Sequence, residues 1–189
     1  TGTFEVSKVA MEYSLFTCIH KHYNLSDWIN FKKDANDNWY NYVAISAGLN
    51  DSEKLYTILD MIPELQFICL DIANGYIKVF SEFISEVRDK YPDKIIIAGN
   101  VVTKEMTNQL IISGADIVKV GIGPGSVCTT RIKTGVGFPQ LSSIIECSEE
   151  AHKLDAYIIS DGGCTCPGDF SKAFGGGADF VMGGGIFAG

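Results

Sequence analysis

Seven short apolar runs, rich in Ile, Val and Phe, alternate along the chain with longer amphipathic segments. They lie at 14–20, 42–46, 66–72, 94–99, 116–121, 156–160 and 179–182. Polar residues do not alternate within them, which is the pattern of parallel strands buried on both faces. The segments 52–61, 76–90, 104–113, 139–153 and 167–175 repeat apolar positions at helical spacing. Asn50-Asp51-Ser52 suits the start of the first of these, Thr103 caps the third, and Pro167 fits a first helical turn. The stretch Asp34-Ala35-Asn36-Asp37-Asn38 reads as a polar loop. Strands alternating with helices build either an open doubly wound sheet or a closed barrel. Almost every run ends in a small or polar cluster: Ser46-Ala47-Gly48, Asp71 to Gly75, Gly99-Asn100, Gly121 to Gly125, Asp161-Gly162-Gly163 and Gly183-Gly184-Gly185. Active sites of parallel barrels draw on many strand ends, whereas an open sheet concentrates them at one switch point. The pattern therefore predicts a parallel (β/α)8 TIM barrel in a single domain, residues 1–189. Seven strands of eight are visible. The expected arrangement leaves the first strand and the last helix outside these residues, and the lack of an initiator Met agrees.

Composition narrows the function. At 46% hydrophobic and 20% charged, the chain is globular and not disordered. No apolar run approaches the roughly 20 residues of a membrane span, and the start lacks the pattern of a secretory signal. The net charge of −8 and the lack of a basic stripe argue against duplex DNA as partner. Acidity does not exclude a phosphorylated small molecule, because glycine-rich turns hold phosphate with backbone N–H groups. The six cysteines are scattered, which suits a reducing, cytoplasmic setting. Cys164-Thr165-Cys166 offers one pair of thiols with no second pair, too few for a structural zinc.

The segment Gly121-Ile122-Gly123-Pro124-Gly125-Ser126-Val127-Cys128-Thr129-Thr130-Arg131 follows an apolar run. A dinucleotide fingerprint needs a helix at once and an acidic residue roughly 20 positions on. The proline among these glycines, and Thr134-Gly135-Val136-Gly137 beyond, exclude it and describe a long barrel loop. Cys128 lies among polar residues near Arg131, a setting that favours thiolate, so a nucleophile outweighs a bland loop cysteine. Thr130 could relay a proton given a carboxylate partner, and none is evident. Asp161-Gly162-Gly163 and Gly183-Gly184-Gly185 fall where such barrels bind phosphate, provided the strand outside the chain is the first. Asp161 suits a ribose diol. Lys21, between His20 and His22, reads equally as a cofactor-phosphate contact or a solvated strand end. His22 and His152 read as structural.

The loop at 121–131, with Thr134-Gly135-Val136-Gly137 and Pro139-Gln140, resembles the catalytic loop of GMP reductases, in the IMP dehydrogenase/GMP reductase family. Leu70-Asp71-Ile72-Ala73-Asn74-Gly75, Ala98-Gly99-Asn100-Val101-Val102 and the stretch from Ile159 to Asp169 carry the same resemblance, which runs over 3–189. It implies NADPH-dependent reductive deamination of GMP to IMP and ammonia, with IMP dehydrogenase or a non-catalytic nucleotide-binding barrel as alternatives. By that resemblance Cys128 attacks purine C2, and Thr130 works with a glutamate of a later flap. Ser126, Asp161, Gly162, Gly163, Gly184 and Gly185 would hold GMP. Lys21, Asp71, Ile72, Ala73, Ile122 and Gly123 would face NADPH. Carbonyls of Gly123, Gly125 and Cys128, with Arg131, match a potassium site, and a cytoplasmic homotetramer is implied. Gly183 departs from the large aliphatic residue usual there. The flap glutamate lies outside 1–189, so this stretch alone is expected to lack the full catalytic set.

Overall fold

The computed structural model describes residues 2–187. In chain order its elements are α1 (Phe4–Glu12), β1 (Thr17–Ile19), α2 (Leu25–Asp34), β2 (Val43–Ala47), α3 (Ser52–Met61), β3 (Phe67–Asp71), α4 (Lys78–Lys90), β4 (Ile95–Val101), α5 (Lys104–Ile112), β5 (Ile117–Val120), α6 (Thr130–Thr134), α7 (Gln140–Lys153), β6 (Tyr157–Asp161), α8 (Pro167–Gly175) and β7 (Phe180–Met182). Short 3₁₀ turns at Trp39–Asn41 and Gly185–Phe187 complete them.

All seven strands are parallel and lie in sequence order, β1 to β7, as a curled part-barrel. The register aligns Ile45 with Ile68, Ile68 with Ile96, and Val118 with both Ala98 and Ile158. Those side chains face the helices and join Trp28, Leu55, Ile58, Phe80 and Ile84 in the main core. The alternate positions Ala44, Cys69, Ile97, Ile117 and Ile159 fill the barrel interior. Both strand faces are therefore apolar, the physical reason the runs lack alternation. Each fully buried side chain of this size contributes about 1.5–3 kcal/mol. Among the described residues, β1 and β7 each pair on one side only. No helix among the described residues is long and apolar enough to cross a membrane.

All seven expected strands are present, and the helices at 52–61 and 167–175 match α3 and α8. Pro167 occupies the first turn of α8. Thr103 accepts the N–H of Met106 at 3.5 Å, a weak cap. Asp51 stands at the N-cap of α3 without capping it. Its Oδ2 instead accepts the Gly48 N–H at 2.9 Å, tying the end of β2 to the helix start. Besides the short α6, which lies in the stretch read as a long loop, two helices lie where the periodicity predicts none. α1 buries Phe4, Ser7 and Met11, and α2, closed by an Asn24–Asp27 capping box, buries Trp28 and Phe31. They are locked by aromatic stacking, with Phe4 4.0 Å from Tyr23 and 4.4 Å from Phe31.

Candidate active site

The loop after β5 is shaped by its arginine. Gly123 has φ +84, and a Cβ there would stand 2.5 Å from Cγ of Arg131. The arginine folds across this glycine and donates from Nη2 to the Phe138 carbonyl at 2.6 Å and the Ile122 carbonyl at 3.5 Å. Only a residue without Cβ leaves it that path. Beneath it, the Cys128 N–H donates to the Gly125 carbonyl at 3.0 Å, and the one-turn helix α6 begins at Thr130.

Cys128 Sγ and Thr130 Oγ1 are hydrogen-bonded at 3.3 Å. Thr130, first through its hydroxyl and then through its backbone, holds the thiol below its ordinary range, with smaller help from Gly123 N–H and Arg131. The thiolate setting expected of Arg131 is thus owed mainly to Thr130, because the guanidinium is spent on carbonyls. The other thiols differ. Burial pushes Cys147 up to about 11, and burial followed by Asp169 and Cys166 raises Cys164. Cys69 is lowered by its hydrogen bond with Cys18, but it is sealed inside the barrel.

Neighbouring strand ends close on this loop. Gly162, at φ +90, lies so near that a Cβ would meet the Gly125 nitrogen at 2.9 Å. Gly163 abuts Pro124, and a Cβ on Gly185 would come within 3.0 Å of Ser126 Oγ. Cys128, Thr130, Ser126, Gly125, Asp161, Gly162, Gly163, Gly184 and Gly185 therefore share one end of the sheet. Ile122 is buried under the loop. On the far side, Asp71 ends β3, and Ile72 exchanges backbone hydrogen bonds at 2.9 Å with Gly99 and Asn100, placing Ala73 beside β4. Lys21 is further off. It pairs with Asp51 at 3.8 Å, and no contact joins it to the Cys128 loop among the described residues.

Three residues to which the sequence alone gives no role support the candidate site. Lys119, buried on β5, forms ion pairs with Asp71 and, at 3.3 Å, with Asp161. Asn100 donates from Nδ2 to Asp161 Oδ2 and to the Gly121 carbonyl, both at 2.8 Å. Gln140 donates to the Val120 carbonyl at 2.8 Å and supports Ser160 at 3.2 Å. A lone lysine inside an apolar run was the available signal, since lysine is almost never fully buried unless paired.

The Cys164-Thr165-Cys166 segment is a helix-starting turn. Asp169 accepts from the Thr165 N–H and hydroxyl, both at 3.1 Å, and from Cys166 Sγ at 3.4 Å. The Thr165 N–H, Cys166 and the Thr165 hydroxyl together hold the Asp169 carboxyl at about 2. Among the described residues no group of three or more His, Cys, Asp or Glu could hold a metal.

A parallel part-barrel with a cysteine loop at its C-terminal end, packed against two glycine-rich strand ends, defines a class. Residues 5–189 match the profile of the IMP dehydrogenase / GMP reductase domain, and the chain belongs to that family. Within it, the chain is 60% identical to GMP reductase 1 of Homo sapiens, over 100% of its own length and 55% of that relative's. It is 56% identical to the GMP reductase of Klebsiella pneumoniae, again over 100% of its length and 55% of the relative's. The chain thus spans about half the length of the curated relatives it matches. Among solved structures it resembles an inosine 5'-monophosphate dehydrogenase from Legionella pneumophila at TM-score 0.87 and 34% identity, over 100% of this chain and 56% of that one. It also resembles a GMP reductase variant from Trypanosoma brucei in complex with guanosine 5'-monophosphate, at TM-score 0.73 and 34% identity, over 77% and 31% of the two chains.

Proposed function

We propose that residues 1–189 are part of the catalytic barrel domain of an NADPH-dependent GMP reductase, which converts GMP to IMP and ammonia. The observation that carries this reading is the Cys128–Thr130 pair, hydrogen-bonded at 3.3 Å on a loop pressed against Gly162. In the reaction, Cys128 thiolate bonds to purine C2 and the exocyclic amine leaves, protonated, as ammonia, so that a thioimidate joins the base to the enzyme. Thr130 hands on the amine proton, working with a carboxylate outside 1–189. NADPH, when bound, supplies the hydride to C2. As the C2–S bond breaks, IMP leaves and Cys128 regains its thiolate. Covalent catalysis of this kind divides one difficult substitution into two easier steps.

Asp161 takes the ribose diol of GMP, while Ser126 and the backbone amides of Gly162, Gly163, Gly184 and Gly185 take its phosphate, as glycine-rich turns do. Asp71, Ile72, Ala73, Ile122 and Gly123 face the dinucleotide, with Lys21 at the edge toward its phosphates. The residues fit that role: the Asp71 side chain is 51% exposed at the mouth while its Oδ1 is held from below by Lys119. Carbonyls of Gly123, Gly125 and Cys128, beside Arg131, form the proposed potassium site. The Gly125 carbonyl already accepts the Cys128 N–H at 3.0 Å and keeps one lone pair for a cation. A cytoplasmic homotetramer belongs to the same reading, and sizing of the full-length protein tests the assembly.

One observation favours a second reading. The likeness to an IMP dehydrogenase covers the whole chain at TM-score 0.87. Fold alone does not separate the two chemistries, because the same barrel hosts both. The 56–60% identity to GMP reductases weighs the other way. Full-length protein should be given GMP with NADPH, and separately IMP with NAD, while nicotinamide absorbance and ammonia are followed. The expected result is NADPH loss with one ammonia released per turnover. NADH formation from IMP, without GMP-dependent NADPH loss, would establish the dehydrogenase.

A further inference from the structure

Lys119 is the one charge placed wholly inside the barrel wall among the described residues, at 4% exposure. Its stem fits because β4 has no side chain opposite. A Cβ on Gly99 would lie 2.6 Å from both the Cβ and the carbonyl oxygen of Lys119. From there the ammonium reaches the Asp71 carboxylate at the end of β3 and the Asp161 carboxylate at the end of β6. Cys18 from β1 and Cys69 from β3 also face this cluster. Burial works against the lysine's charge, yet Cys69, Asp161 and Asp71 outweigh it and keep the ammonium protonated. Asp161 Oδ2 receives both Lys119, at 3.3 Å, and Asn100, at 2.8 Å. Its Oδ1 has no partner among the described residues and is left for a ligand.

We propose that Lys119 is a positioning residue that clamps the two ligand subsites together, orienting Asp161 toward the nucleotide ribose and Asp71 toward the dinucleotide from a single buried ammonium. This rests on the functional reading above, in which those two carboxylates serve different ligands. One consequence is that the subsites are not independent. Removing the ammonium leaves two carboxylates facing one another without a counter-charge, so both lose their orientation at once. Their mutual repulsion is then uncompensated, and burial sharpens it.

The test uses the full-length protein with Lys119→Met, Lys119→Arg, and Lys119→Met combined with Asp71→Asn. Calorimetric titration with GMP and with NADPH is expected to show Lys119→Met weakening both ligands, each by roughly tenfold, the scale of one charge-assisted hydrogen bond. Lys119→Arg should recover part of both losses, because the charge is kept. Thermal melts at pH 7 are expected to show Lys119→Met combined with Asp71→Asn melting above Lys119→Met alone, because one of the two uncompensated carboxylates is gone. A merely space-filling lysine would leave the combined variant no more stable than Lys119→Met. Should Lys119→Met not fold, the combined variant decides. Relief of the repulsion restores a cooperative melt at pH 7, and no rescue there overturns the clamp. Weakening of one ligand alone, or of neither beyond twofold, also overturns it. If wild-type protein binds neither GMP nor NADPH, the functional reading fails instead. The clamp itself is then judged by the melts: no stabilisation of Lys119→Met by Asp71→Asn rejects it, and stabilisation supports it.

Discussion

Cys128 owes its character to a neighbour two positions along. Its thiol is held low chiefly by Thr130, so Thr130→Val should return it toward the ordinary cysteine range. Thiolate is the reactive form, so the alkylation profile should shift to higher pH, and the iodoacetamide rate near neutrality should fall about threefold or more. An unshifted profile would assign the lowering to the loop backbone alone. Asp161→Ala should weaken GMP binding much more than NADPH binding, by about 1.5–3 kcal/mol for each charge-assisted bond lost. Titration of both ligands checks this, and equal losses would remove Asp161 from the ribose. Cys128, Thr130 and Asp161 stood out as candidates because glycines and small polar residues surround them at strand ends. Lys119 did not, and Asn100 stood out only as a strand-end residue without a role. Lys119 hides in Ile-Val-Lys-Val, where its partners come from strands 48 and 42 residues away in sequence.

Between residue and molecule, Arg88 at the end of α4 holds three elements in place. It donates to the Gly114 carbonyl from Nε at 3.0 Å and Nη2 at 2.8 Å, and from Nη1 to the Pro92 and Lys94 carbonyls at 2.8 Å. It also meets Asp116 at 2.5 Å, and Asp116 in turn accepts the Ile96 N–H at 2.7 Å. One planar fork thus sets where β4 and β5 begin. Arg88→Met should cost about 1–3 kcal/mol, since the half-buried carbonyls of Lys94 and Gly114 lose their donors, and Arg88→Lys should recover little of it. Denaturant melts measure both, and a loss below about 0.5 kcal/mol would show the fork to be replaceable by water. At this scale α3 and α8 were legible from periodicity and their starting residues. α1 and α2 were not, for a physical reason. α1 turns a polar residue, Ser7, inward, and its hydroxyl is satisfied at 2.8 Å by the Phe4 carbonyl. α2 buries only two aromatics, too few to mark a stripe.

At the scale of the whole molecule, the even spacing of strands and their small, polar ends made the barrel legible, while the bond network that joins those ends was not, because it is made by contacts distant in sequence. Among the described residues β1 and β7 each pair with a strand on one side only, the outer side of β1 meeting Gly2, whose carbonyl accepts the His20 N–H at 2.8 Å, and Phe174 and Phe180 stand exposed near β7. Open apolar edges recruit other strands. Residues 1–189 expressed alone should therefore associate or melt without cooperativity, as sizing and a thermal scan would record. A monodisperse monomer with a cooperative melt would mean that the edges are protected. The six thiols are distributed over the whole chain, and the covalent mechanism needs one of them: Cys69 and Cys147 are buried, Cys18 and Cys164 half-buried, Cys166 exposed, and Cys128 in the loop. Each is to be replaced by alanine in the full-length protein, and NADPH consumption followed with GMP. The expected result is that Cys128→Ala alone loses more than about a thousandfold in turnover, as removal of a covalent nucleophile does. Near-normal turnover in Cys128→Ala would contradict the covalent mechanism.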